Sequence, residues 1–232
     1  NVLNKIIYII IIIMSKVPKI IHQIWIGDDP LSEDCKRSTD KMKDVHERLG
    51  YKYYLWGNEI FDRYKDDKFL INYREKKIDN RYITDRLRLL ILRDFGGIYI
   101  DVDADCIRSF NSILNKLNSN ISFFAGTWKH VPTSKTALID VGILGSEKNS
   151  FMINKCLETY TTIHWANGGQ MIGEKILQEL DENTVIFNYR YFYDNTVTDK
   201  TVSIFRDKCL PIDKAVTHVL PDIPKLTSTK NH

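Results

Sequence analysis

Apolar residues follow two alternating rhythms along this chain. From Ile20 to Ile26 nearly every position is apolar or β-branched, and Gly27-Asp28-Asp29-Pro30 ends the run. This predicts a buried first strand closed by a turn. Between Ser32 and Leu49 the spacing becomes helical, with Ser32 as the N-cap and Gly50 as the stop. Tyr51–Trp56 predicts a second strand, closed by Gly57-Asn58, and the charged stretch from Glu59 to Lys77 predicts a surface helix. The clearest helical pattern runs from Thr84 to Phe95. There Leu87, Leu90, Ile91 and Phe95 share one face and Thr84 is placed to cap it. Gly96-Gly97 stop that helix, and Ile98-Tyr99-Ile100 predict a short buried strand.

Further on, a loop and short helix are expected over Ile107–Leu117, strands over Ile121–Gly126 and Ala137–Gly145, and a helix over Ser150–Tyr160. Asn167-Gly168-Gly169-Gln170 predicts a turn opening a helix over Met171–Leu180. An aromatic strand region follows at Val185–Tyr193, and a short strand at Ala215–Leu220. Strands alternating with helices predict an α/β fold with a central sheet flanked by helices. No repeat or low-complexity linker divides the chain, so residues 17–232 are expected to form one domain behind an apolar segment, residues 1–16.

Composition narrows the partners. The chain has 232 residues, enough for one domain with a sizeable core. Its net charge of +3 comes without a basic stripe, which argues against nucleic acid. Cys35, Cys106, Cys156 and Cys209 are far apart and form no C-x-x-C pair, so neither a structural zinc site nor a disulfide scaffold is expected. A single glycosylation tripeptide, Asn120-Ile121-Ser122, does not by itself assign a compartment. The apolar run Ile6–Ile13 is well short of the ~20 residues of a membrane-spanning helix. It reads as a signal-peptide core, the stub of a longer anchor, a segment ahead of a start at Met14, or a packing element. A cytoplasmic or a membrane-associated location is compatible with it.

Chemistry concentrates where the Ile98–Ile100 strand ends. Asp101 and Asp103 flank one apolar residue, Val102, which a strand would turn to its opposite face. A calcium loop of the EF-hand kind is excluded, because its glycine and acidic places fall on Cys106 and Ser112. An aspartate-nucleophile phosphatase of the HAD-like kind fits less well, since Asp105 fills the place of its Thr or Val. A third reading is a metal-dependent glycosyltransferase, in which Mg²⁺ or Mn²⁺ is shared between carboxylates and a substrate diphosphate. Asp85 and Arg88, three apart in the preceding helix, suit either a hydroxylated ligand or an ion pair. Trp25 and Gly27 stand at the carboxyl end of the first strand, where open α/β sheets bind ligands.

Three blocks in this order resemble a known family: Pro18–Gly27, Thr84-Asp85-Arg86-Leu87-Arg88, and Gly96-Gly97-Ile98-Tyr99-Ile100-Asp101-Val102-Asp103. They look like the glycosyltransferases with a DXD sugar-binding region, which include yeast initiating mannosyltransferases, capsule enzymes and large glucosylating toxins. The resemblance covers residues ~17 to ~110 well. It implies a GT-A fold with a Rossmann-like mixed sheet, a retaining mechanism, and Mn²⁺ or Mg²⁺. It implies a nucleoside-diphosphate sugar donor, bound with help from Gly27 and Tyr99, and a glycan, protein or lipid acceptor. By the same match Trp25 stacks on the base, Asp85 and Arg88 hold sugar hydroxyls, Asp101 touches ribose or sugar, and Asp103 binds the metal. His218 stands where many members carry a further metal ligand, but the Ser-Trp that follows it in the family is Val219-Leu220 here. Asp140 stands where Asn is usual. A non-catalytic relative that binds nucleotide or glycan is the alternative of a different class.

Overall fold

A computed structural model describes residues 15–75, 79–127, 139–161, 168–192 and 203–205. The apolar run Ile6–Ile13, Cys209, the strand expected at Ala215–Leu220 and His218 lie outside them. The architecture is a six-stranded mixed sheet in the order β2-β1-β3-β6-β5-β7. Its strands are β1 (Ile20–Ile24), β2 (Lys52–Trp56), β3 (Gly97–Ile100), β5 (Phe123–Thr127), β6 (Ile139–Ser146) and β7 (Thr184–Phe187). A separate two-stranded ladder pairs β4 (Ala104–Cys106) with β8 (Ser203–Phe205). In the large sheet β6 runs antiparallel to β3 and β5, and the other pairings are parallel. The start of β6 therefore lies at the same edge as the carboxyl ends of its neighbours.

The helices are α1 (Glu33–Glu47), α2 (Ile60–Arg63), α3 (Lys68–Glu75), α4 (Asn80–Phe95), α5 (Asn111–Leu114), α6 (Phe151–Thr159) and α7 (Gly168–Gln178). Side chains alternate across the sheet and divide the core in two. Tyr99, Ala125 and Leu144 pack with α4, α6 and α7, whereas Ile98, Ile100, Phe124 and Ile143 pack with Met42 of α1 and with Phe110 and Ile113. Among the described residues no helix is long and apolar enough to cross a membrane.

Several boundaries differ from expectation, each for a local reason. α4 starts four residues before Thr84, because Asp79 accepts from Arg81 N as the N-cap. Thr84 instead turns its Oγ1 back to Asn80 O, as threonine does inside a helix. Asp85 consequently sits in the second turn, not at a helix end. The charged stretch after Glu59 breaks into α2 and α3, with Asp67 Oδ1 accepting from Leu70 N at the second start. Gly168 and Gly169 belong to α7 itself and not to a turn before it. Ser32 and Ser150 cap α1 and α6. The aromatic stretch after Val185 divides into β7 and a 3₁₀ turn at Tyr189–Tyr191.

His22 ties the centre of this arrangement together. Trp56 Nε1 donates to its Nδ1 at 3.2 Å, so Nε2 carries the proton and donates to Gly96 O at 2.9 Å. Burial lowers its pKa from 6.5 to about 4, opposed by the Gly96 bond. A base whose folded pKa is depressed binds fewer protons folded than unfolded, so stability is complete above pH 6.5 and is lost as pH falls toward 4. Over that window His22 is expected to cost about 3 kcal/mol. Urea unfolding at pH 7.5 and pH 4.5 should show this slope in the wild type and a much smaller one in His22→Gln. Equal slopes in the two proteins would refute the buried neutral imidazole.

Candidate functional site

The site forms where a helix and a strand double back on each other. Gly96 and Gly97 have φ of 65° and 100°, in the region that favours glycine. A Cβ on Gly97 would lie 2.7 Å from Ile20 O, and one on Gly96 would lie 2.6 Å from Lys148 N. Only glycines permit so tight a reversal from α4 into β3. Asp85 lies eleven residues before Gly96, about 16 Å along a helix at 1.5 Å per residue. Asp101 lies five residues after it, also about 16 Å along a strand at 3.3 Å per residue. The reversal thus brings the two carboxylates level.

Arg88 holds them there. Its Nη2 pairs with Asp85 Oδ1 at 3.0 Å and with Asp101 Oδ1 at 3.5 Å, and its Nη1 donates to Val141 O at 2.6 Å. The guanidinium also lies over the Tyr99 ring, 4.5 Å from its centroid. Tyr99 Oη donates to Asp101 Oδ1 at 2.5 Å, leaving Oδ2 for a ligand. Burial alone would lower the Arg88 pKa, but Tyr99, Asp101, Asp85 and Asp140 together push it above its ordinary value. Asp85 is raised by burial and less by Asp101, against the pull of Arg88. Tyr99 is raised well above its usual value, first by burial. The expected Asp85–Arg88 ion pair is therefore present, and it also reaches the Asp101 turn.

The Asp-Val-Asp segment differs in one respect from expectation. β3 ends at Ile100, and Asp101–Asp103 follow it as a turn closed by Ala104 N donating to Asp101 O. Val102 is half-buried in that turn and not on the far face of a strand. The turn lets both carboxylates face outward: the Asp101 side chain is 35% exposed and Asp103 is exposed.

Trp25 and Gly27 leave the carboxyl end of β1, beside this turn. Trp25 is half-buried, its Nε1 donates to Asp29 O, and among the described residues its ring meets no other aromatic ring. Gly27 has φ of 119° and is clasped by Asn58, which accepts from Gly27 N and donates to Gly27 O. Asn80 Nδ2 donates to Ile26 O, fixing the same loop to the start of α4.

Two buried residues at this edge escape a reading from periodicity. Gln23 donates to Asp101 O and accepts from Tyr53 Oη, so it pins the acidic turn from below. Asp140, near the start of β6, accepts from Gly142 N through Oδ1, while Oδ2 is buried with no hydrogen-bond partner. Burial, with Asp101 and Asp103 adding, pushes its carboxyl up to about 8, against Gly142 N and Arg88. Asp140 was marked along the chain only by the family resemblance, as the residue standing where Asn is usual.

Residues 32–120 match the family model described as glycosyltransferase sugar-binding region containing DXD motif. That span includes α4, the glycine reversal and Asp101-Val102-Asp103. This stretch is similar to a DXD sugar-binding region. The chain is 35% identical over 101 residues to a mannosyl phosphorylinositol ceramide synthase of Saccharomyces cerevisiae, covering 42% of this chain and 25% of the yeast protein. It is 25% identical over 130 residues to inositol phosphoceramide mannosyltransferase 1 of Schizosaccharomyces pombe, covering 50% and 40%. The chain thus spans well under half the length of these relatives. Its fold is that of solved glycosyltransferases. The PaToxG glycosyltransferase superposes with a TM-score of 0.56 at 18% identity, covering 76% of each chain. A glycosyltransferase involved in the glycosylation of the PBCV-1 major capsid gives 0.50 at 9% identity, covering 75% of this chain and 82% of the other.

The matched stretch can be tested against the divalent cation that such a region implies. Among the described residues no three His, Cys, Asp or Glu side chains group into a metal cage. Magnesium-type sites commonly need only one or two carboxylates, with water and substrate phosphates completing the shell. The outward carboxylates of Asp101 and Asp103 provide a hard oxygen pair of that kind.

Proposed function

We propose that this protein is a metal-dependent glycosyltransferase that moves a hexose from a UDP- or GDP-sugar to a glycan, protein or lipid acceptor, with retention at the anomeric carbon. The observation that carries this reading is the Arg88 cluster. One buried guanidinium joins the helix acid Asp85 to Asp101 of the DXD turn, within the matched sugar-binding region. In this reading residues 17–232 act as one domain.

Trp25 offers its ring face to the base, beside the Gly27 loop that Asn58 clasps. Asp85 and Arg88 accept from and donate to sugar hydroxyls, held rigid by Val141 O and the Tyr99 ring. Asp101 takes ribose or sugar hydroxyls through Oδ2, since Tyr99 occupies Oδ1. Asp103, with Asp101, would hold Mn²⁺ or Mg²⁺, which when bound neutralises the charge that grows on the departing nucleoside diphosphate. His218 is proposed as a further ligand. The mannosyl names of the relatives make a mannose donor the first to try.

A thermal-shift panel tests the reading directly. UDP- and GDP-hexoses, GDP-mannose included, are each added with and without Mn²⁺. One donor should raise Tm only when the metal is present, as expected for a ligand that binds the folded state alone. No stabilisation by any donor, with or without metal, would refute it. Trp25→Ala should weaken binding of the matching nucleoside diphosphate by roughly 1–3 kcal/mol, the range of base-on-aromatic stacking. Unchanged calorimetric affinity would return Trp25 to a packing role.

A further inference from the structure

Behind the proposed sugar-facing acid the chain is packed unusually close. Gly168 opens α7, and a Cβ built on it would lie 2.5 Å from Tyr160 Oη and 2.6 Å from Asp85 Oδ2. Neither group is placed to give way. Asp85 is held at Oδ1 by Arg88. The Tyr160 ring is fully buried against Phe69, with centroids 5.1 Å apart, and its hydroxyl is shared between Tyr82 O at 3.2 Å and Asp85 Oδ2 at 3.4 Å. Both of those contacts are long for a hydroxyl donor, so shape matters here more than bond strength.

The same helix seats itself on β6 through two more glycines. A Cβ on Gly169 would come within 2.9 Å of Val141 Cγ2, and one on Gly173 within 3.1 Å of Ile139 O. These positions flank Asp140, and Val141 supplies the carbonyl that receives Arg88. The bare first turn of α7 therefore lies against Asp85 and against Val141, the residue whose carbonyl receives Arg88.

We infer that Gly168 is a positioning residue for the sugar subsite: by having no side chain it lets α7 and Tyr160 close on Asp85 and fix the direction of its carboxylate. The inference rests on the reading of Asp85 as a sugar-binding acid. Gly168 itself touches no reacting atom. Its effect passes through Asp85, so it should be felt by a ligand that carries a sugar and not by one that lacks it.

Calorimetry on Gly168→Ala, Tyr160→Phe and the double variant tests this. The ligands are the nucleotide sugar that stabilises the wild type and its parent nucleoside diphosphate, UDP or GDP, with Mn²⁺ throughout. Gly168→Ala should lower nucleotide-sugar affinity roughly tenfold, in line with the cost of small misplacements in a polar site. Affinity for the nucleoside diphosphate should stay within about twofold. The double variant, in which Oη no longer opposes the new methyl group, should recover part of the loss. Tyr160→Phe alone, expected to fold, should lose roughly threefold, again for the sugar-bearing ligand only.

Equal losses for both ligands, or a lowered Tm with both affinities unchanged, would overturn the inference. A wild type that binds nucleotide sugar beside variants that bind it equally well would overturn it alone. A wild type that binds none would overturn the functional reading and this inference with it.

Discussion

Replacing Asp103 by alanine is expected to reduce Mn²⁺-dependent hydrolysis of the donor sugar by at least about a hundredfold, while leaving the fold intact. Asp103 is exposed in a turn after β3, so its loss opens no cavity, and exposed substitutions usually move stability by no more than about 0.5 kcal/mol. A change of Tm beyond a few degrees would mean that the turn itself depends on this carboxylate. Initial rates at saturating donor across a Mn²⁺ titration, after chelation and dialysis, provide the measurement. Full activity in Asp103→Ala under those conditions would remove Asp103 from the metal site and with it the chemical sense of the motif.

Arg88→Met should have the largest effect on stability. Arg88 is a buried cation, 7% exposed, that faces Asp85, Asp101 and Asp140 together. Methionine keeps the length and removes the charge. Breaking one partner from a buried ionic cluster typically costs about 3–5 kcal/mol, because the remaining charges stay desolvated. The loss should also depend on pH. Asp85 and Asp140 already have raised folded pKa values, Asp140 at about 8, and removing the cation raises them further. A carboxyl whose folded pKa exceeds its unfolded value favours folding at low pH, and that contribution is lost as pH rises. The deficit of Arg88→Met relative to the wild type should therefore be greater at pH 8 than at pH 5, as read from urea midpoints at both. A deficit below about 1 kcal/mol, or one equal at the two values, would show that the cluster is not ionically coupled.

Much of this was legible along the chain because the signals were local. Alternation from strand to helix, the serine caps and the double glycine each depend on a few neighbouring residues. They predicted the sheet, the helices and the position of Asp101-Val102-Asp103 closely. The start of α4 was not legible in the same way: Thr84 reads as the cap, whereas Asp79 caps the helix and Thr84 bonds back to Asn80 O inside it. The site was legible in part. Asp85 and Arg88 could be paired from their spacing, but nothing local shows that Arg88 also reaches Asp101 or Val141 O, on segments up to 53 residues away. Gln23, Asp140 and Tyr160 act through contacts of that long-range kind. Their sequence neighbourhoods look like ordinary strand and helix ends.

The reversal at Gly96-Gly97 also limits how the chain can change length. One residue added to α4 shifts Asp85 by about 1.5 Å and swings it about 100° around the helix axis. One residue added to β3 shifts Asp101 by about 3.3 Å and turns it to the opposite face. To restore facing, insertions in the strand must come in pairs, and those in the helix in near-whole turns. Two strand residues advance about 6.6 Å, while a whole turn, taken as four helix residues, advances about 6 Å and leaves a rotation of about 40°. Two helical turns match no even number of strand residues any better in both distance and angle. The two arms thus behave like scales of unequal graduation joined at zero, whose marks coincide where they now stand and at few neighbouring settings. Insertion and deletion are therefore largely closed to this segment.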